Sequence, residues 1–338
     1  MITTIKDVAR EAGVAISTVS KVLNGVETVR PDTRQAVQDA MKKLNYIPNI
    51  NARALKGRRK DTIGLFLSSI QGEFFTNLAQ AIHMQCSIAG FMLNIFVSNE
   101  KNTSDEICAR ILASGVAGAI VFNEKLSISA VGQIAACDTP LVLIDREYAG
   151  ESISSVVIDS YAGVTLAMNY LIHQGHRRIG FMHGLPSYDD DQRYRAYCDV
   201  MRHNHLPIQE QWLLHGYFEE LLAYGEMRRM FLRGTPLPDA FFCANDQMAW
   251  GCITALKEAG IGVPEQVSVV GFDDVGQAAT YVPALTTVHS PVNELGKQSM
   301  LELLRLIRAE AEPAEGAINK LQPTLMARAS CRLRLDSY

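Results

Sequence analysis

A chain of 338 residues, 48% of them hydrophobic, is long enough for two or three domains with cores of their own and too varied in composition to be disordered or low-complexity. It holds no apolar run near the roughly 18 residues that a membrane span requires, and its N-terminus lacks the apolar stretch and cleavage site of a signal peptide, so a cytoplasmic protein is expected. The net charge of −4 hides a division: residues 1–60 carry 12 Lys and Arg against 5 Asp and Glu, a net of +7, while the rest carries 20 against 31, a net of −11. A basic head on an acidic body is the footprint of a chain whose head meets phosphate.

Thr4 and Asp7 approximate a capping box for a first helix, with Ile5, Val8, Ala9 and Ala12 on one stripe and Gly13 ending it. A second helix follows, in which Val19, Val22 and Leu23 share a face. That periodicity places Ser17, Lys21 and Asn24 on the opposite side, flanked by Thr18 and Ser20. Two short helices joined by a tight turn, the second presenting small, hydroxylic and basic residues, suit a DNA major groove. A solvated basic face is the plainer reading of the charge alone, and the helix pattern outweighs it. Ser17 and Lys21 are the expected base-edge readers, Ile16 can touch a thymine methyl, and Thr18, Ser20 and Asn24 are expected at phosphates. Pro31 and Asp32 open a third helix whose Val37, Met41 and Leu44 close a three-helix core.

Residues 49–60 are helix-prone but only about two turns long, so by nucleation cost they need a partner to form. Arg53, Lys56, Arg58, Arg59 and Lys60 would neutralise phosphates there. From Thr62 onward short apolar runs alternate with helical patterns, at 63–67, 92–97, 119–122 and 141–144, and again at 178–182, 240–244 and 267–272. This is the pattern of buried parallel strands in a doubled α/β unit, and two open sheets side by side leave a cleft at their strand carboxyl ends.

Polar groups at those ends are the candidates for a ligand: Ser68 and Ser69, Asp145, Asn245-Asp246 and Asp273-Asp274. Phe74, Phe75 and Phe218 can cover an apolar ring face, and Arg193 can fork across two oxygens. Plainer roles compete: Phe75 in the core, Asp246 and Asp274 as helix caps, Asp145 paired with Arg146. The loop Tyr188-Asp189-Asp190-Asp191 is acidic, which favours a neutral polyol over an anion, although solvation explains it as cheaply. The seven cysteines are scattered and His203 and His205 have no ligand cluster, so reduced thiols and neither metal nor cofactor are expected.

The segments Ile5-Lys6-Asp7-Val8-Ala9, Ala12-Gly13-Val14, Thr18-Val19-Ser20 and Leu44-Asn45-Tyr46-Ile47-Pro48-Asn49 resemble the head of the lactose and galactose repressor family, and the resemblance runs through nearly the whole chain. It implies an all-α helix-turn-helix DNA-binding domain at 1–48 and a hinge at 49–60. There Asn49, Ala52, Arg53, Leu55 and Lys56, together with Thr4 in the head, would contact DNA, with Leu55 wedging into the minor groove. It also implies an α/β, two-lobed periplasmic-binding-protein-like effector domain at 61–338. Its first lobe would span 61–157 and 286–321 and its second 158–285 and 322–338, with crossovers near 158, 285 and 322. Phe74, Phe75, Arg193, Phe218, Asn245 and Asp273 match effector-contacting positions. Three departures stand out: Ala15 and Arg30 where the family caps its helices with Ser, and Lys21 where Arg is commoner.

The resulting expectation is a ligand-responsive repressor of carbohydrate-utilisation genes, a homodimer on near-palindromic double-stranded operator DNA, controlled by a sugar or sugar derivative. A leucine-heptad tail is missing, which favours a dimer over a tetramer. The competing reading, a sugar-acting enzyme on an α/β fold, finds no glycine-rich phosphate loop and no GxSxG elbow.

Overall fold

The computed structural model describes residues 5–23, 29–44, 61–99, 101–309 and 314–332, and the chain divides into two compact units, 1–60 and 61–338. In the first unit, helices α1 (Ile5–Glu11), α2 (Ile16–Leu23) and α3 (Pro31–Lys43) bury Val8, Ala9, Val19, Val22, Val37 and Ala40, with Ala12, Val14, Met41 and Leu44 packed against them. Gly13 takes the left-handed conformation, φ 63°, that ends α1. Ala15 offers only its carbonyl, which accepts from the amides of Thr18 (2.9 Å) and Val19 (3.2 Å). Arg30 at the start of α3 makes no side-chain cap, as its departure from Ser implies. Lys43 reaches Glu11 at 2.5 Å and ties α3 back to α1.

In the second unit the strands are β1 (Thr62–Leu67), β2 (Met92–Val97), β3 (Gly118–Phe122), β4 (Leu141–Leu143), β5 (Ile153–Ile158), β6 (Ile179–His183), β7 (Leu213–His215), β8 (Ala240–Cys243), β9 (Ser268–Asp273), β10 (Thr286–His289), β11 (Ile318–Leu321) and β12 (Thr324–Met326). They build two six-stranded sheets, ordered β11-β5-β4-β3-β1-β2 and β12-β10-β9-β8-β6-β7. Neighbours run parallel except β10 and β12. Helices cover the sheets, and each lobe has its own apolar core, built around Ile63, Leu65, Ile120 and Val142 in one and Phe181, Phe241, Phe242 and Phe272 in the other. All seven cysteines are free thiols. Among the described residues no helix is long and apolar enough to cross a membrane.

Strands β5, β7, β10, β11 and β12 are not among the apolar runs of the sequence reading. Strand β5 carries Ser154 and Ser155 in its middle, which breaks the apolar run that marks a buried strand. Both serines are nevertheless buried, because Ser154 Oγ donates to Glu302 (2.6 Å) and Ser155 Oγ to the Tyr148 carbonyl (2.6 Å). The lobe limit expected at 285/286 also moves. Thr286 to His289 pair in register with Val270 to Asp273 and so belong to the second lobe. The chain returns to the first lobe only after Ser290-Pro291, where proline ends the strand.

Candidate functional site

Between the lobes lies a cavity of ≈ 410 Å³, walled by the carboxyl ends of strands from both sheets. Of the cleft candidates, Ser68, Ser69, Phe74, Phe75 and Asp145 from the first lobe and Arg193, Phe218, Asn245, Asp246 and Asp273 from the second line it, and Asp274 does not. Phe74 and Phe75 open the helix Glu73–Ala89 and form an aromatic cluster with Phe122, ring centroids 5.3 to 5.8 Å apart. Phe75 therefore packs against the core and faces the cavity at once.

In the second lobe, consecutive left-handed residues, Tyr217 (φ 54°) and Phe218 (φ 64°), turn the Phe218 ring over Gly184, where a Cβ would lie only 2.0 Å from the ring. Asn245 locks that turn, its Nδ2 donating to the Phe218 carbonyl (3.1 Å) while its Oδ1 caps the helix Asp246–Glu258 at the Met248 amide (2.9 Å). The cap is thus Asn245 rather than Asp246. Asp246 accepts from Thr287 Oγ1 (2.5 Å) and the Val275 amide (3.0 Å), tying β8 to β10. Asp274 is no cap either, since Arg328 (2.6 Å) and His289 (3.0 Å) hold it.

Arg193, only 6% exposed, has its guanidinium carbon 3.9 Å from the Phe272 ring centroid. It donates to the Ala244 carbonyl and, through Nε, to Ser160 Oγ (3.4 Å), which donates in turn to Asp189 (3.0 Å). Asp273 accepts from Ser290 Oγ (3.2 Å). Burial pushes the Asp273 carboxyl up to about 6 against the pull of Arg193 and Ser290, with Asp189 pushing the same way as burial. The Asp189 carboxyl is likewise raised, chiefly by burial. Asp145 is poorly placed to hold a ligand: Arg146 at 2.7 and 3.1 Å and the Asn123 amide at 3.0 Å already occupy both its oxygens.

The acidic stretch 188–191 is the first turn of the helix Tyr188–His203 and not a loop. Ser187 caps it, and three aspartates suit the positive end of the helix dipole. Its members diverge in role. Asp190 holds His183 (2.8 Å) and the Gly184 amide (2.7 Å), Tyr188 donates to Glu147 across the cleft, and Asp189 enters the cavity. Trp250, Gln71 and Tyr217 line the cavity without having been singled out from sequence, and Asp189, noted there only as part of an acidic run, lines it too. Trp250 lies at helical spacing among apolar residues and reads as core; Asp189 reads as one of a solvated run.

On the head, Ile16 (44% exposed), Ser17 and Lys21 share the exposed side of α2 and Thr18 and Ser20 are half-buried, while Val19 and Val22 face the core. Thr4, Asn24, Asn49, Ala52, Arg53, Leu55 and Lys56 lie outside the described residues.

Comparison with known proteins gives the same two-part picture. Residues 4–49 match the bacterial regulatory proteins of the lacI family, and residues 168–331 match the periplasmic binding protein-like domain. The HTH-type transcriptional repressor PurR of Actinobacillus pleuropneumoniae serotype 3 (strain JL03) is 32% identical over 333 residues, 97% of this chain and 98% of its own. Among solved structures, the lac repressor dimer bound to operator and the anti-inducer ONPF superposes with a TM-score of 0.83 at 28% identity, covering 98% of this chain and 100% of that one. The complex of the transcriptional regulator CelR with cellobiose gives 0.72 at 28% identity, covering 97% and 99%.

Proposed function

Because the chain belongs to the lacI family of bacterial regulatory proteins, a DNA-binding transcriptional repressor with an effector domain and not an enzyme, we propose how its own residues divide that work. Lys21 and Ser17 read base edges, Ile16 touches a thymine methyl, and Thr18 and Ser20 hold phosphates; their shared exposure on α2 supports this. Asn24 and Thr4 in the head, and Asn49, Ala52, Arg53, Leu55 and Lys56 in the hinge, complete the DNA contacts.

The effector is a sugar or sugar derivative held in the interlobe cavity by Ser68, Phe74, Phe75, Asp145, Arg193, Phe218, Asn245 and Asp273, and the genes controlled serve carbohydrate use. The observation that carries this reading is a fixed guanidinium and a carboxylate, Arg193 and Asp273, set beside aromatic rings in one enclosed space. Hydroxyls both donate and accept, so such a ring satisfies the two charged groups while its apolar face lies on Phe74 or Phe218. The protein acts as a homodimer, supported by the exposed apolar residues Met84, Ile88, Met92 and Ile95 on one helix and the edge strand β2.

A second reading has a specific support. The relatives named PurR leave a purine base as an effector, and flat rings stack on the same phenylalanines. A thermal-shift panel of sugars and purine bases, followed by operator binding with and without each hit, separates the two. A sugar that raises the melting temperature and changes operator affinity upholds the first reading, and a purine doing both replaces it.

A further inference from the structure

Resting on the effector reading above and narrowing it, we propose that the cavity takes an uncharged, hydroxyl-bearing ring and rejects anions, and that Asp189 is the residue that sets this choice. Arg193 is the one Lys, Arg or His among the cavity's described lining residues. Several lining carboxylates are already occupied: Asp145 by Arg146, Asp246 by Thr287 and the Val275 amide, Glu73 by the Gly276 amide. Of the remaining lining acids, Glu124, Asp189, Glu219 and Asp273, it is Asp189 and Asp273 that share one guanidinium, which is itself fixed by Ala244, Ser160 and the Phe272 ring.

One positive charge between two carboxylates leaves the inner cavity negative. A phosphate or carboxylate on the ligand would add a third negative charge in a space shielded from water, where like charges repel strongly. Hydroxyls instead donate to both carboxylates and accept from Arg193. Of the two carboxylates, Asp189 is the separable one, because an Asn there keeps an oxygen for the Ser160 hydroxyl at 3.0 Å and removes only the charge.

The test uses the full chain and three matched pairs: ribose with ribose 5-phosphate, glucose with glucose 6-phosphate, and guanosine with its 5′-monophosphate. Thermal shift finds the pair that binds, and calorimetry at pH 7.5 gives the affinity ratio within it. The neutral member is expected to bind on the order of a hundredfold more tightly. Asp189→Asn should cut that ratio about tenfold, while Asp199→Asn, farther along the same helix and outside the cavity, should leave it unchanged. A phosphorylated member that binds as well as its neutral partner overturns the proposal in the wild-type protein, whatever the variant does. A ratio that Asp189→Asn leaves unchanged overturns the role of Asp189. If only the guanosine pair binds, the carbohydrate reading falls while the ratio still decides this proposal; if no pair binds, both fall.

Discussion

Asp273 shows how burial and binding pull a single carboxyl in opposite directions. Its pKa is raised to about 6, first by burial, with Asp189 adding to the rise and Arg193 and Ser290 opposing it; in an unfolded chain it would titrate near about 3.9. Above pH 6 the group is ionised in both states and the folded state carries the whole penalty. As pH falls from 7 towards 4 the folded state takes up the proton first, so this group's contribution makes folding more favourable over that window. The hydroxyls of the proposed effector, however, would donate to the ionised form. The affinity for a neutral effector should therefore weaken as pH falls through 6, by up to about tenfold per unit, and Asp273→Asn should flatten that dependence in calorimetry across pH 5 to 8. On the head, exposed Lys21 makes a point-charge contact, so Lys21→Ala should cost about 1–3 kcal/mol on operator and much less on random sequence. Equal losses on both DNAs would move Lys21 to the phosphate-contacting set.

At the scale of single elements, the helix Asp246–Glu258 joins stability to the site, because its cap residue is also the tether of Phe218. Asn245→Ala should lower stability by about 1 kcal/mol, the usual worth of an N-cap, and weaken effector binding by freeing the aromatic wall. Chemical denaturation and ligand titration of the same sample check both. Arg30→Ser should do the reverse for α3, raising the stability of the head by about 0.5–1 kcal/mol. The three head helices were legible because Val8, Val19, Val22 and Val37 recur at helical spacing, and the fully apolar strands such as β3 and β8 declared themselves by composition. β5 did not, since its two serines are satisfied by Glu302 and Tyr148, partners that only the fold brings to them. Ser68, Asp145, Asn245 and Asp273 were legible as strand-end polar groups. Which aspartate ties strands and which faces a ligand was not, because Asp246 and Asp273 differ only in what the fold brings to them. Asp189 was hidden for the same reason, one acid among three until Ser160 and Arg193 single it out.

For the molecule as a whole, the separation of charge and the closing contacts of the body govern the two binding events. A head of net +7 predicts operator affinity that falls steeply and linearly with the logarithm of salt concentration, measurable by fluorescence anisotropy. The body, for its part, is held shut across the cleft at two places: the Glu73 carboxylate accepts from the Gly276 amide (3.0 and 3.1 Å), and the Tyr188 hydroxyl donates to Glu147, which Lys320 holds at 2.8 Å. Tyr188 stands outside the main cavity, so Tyr188→Phe removes a closing contact while sparing the ligand's walls. A ligand enclosed by both lobes must then supply more of the closure energy, and its affinity should fall about three- to tenfold. The same variant should move operator affinity in the sense opposite to the ligand's own effect, since ligand favours the closed body and Tyr188→Phe disfavours it. A shift in the same sense as the ligand's, or an unchanged effector affinity, would show that this contact takes no part in coupling the cleft to DNA.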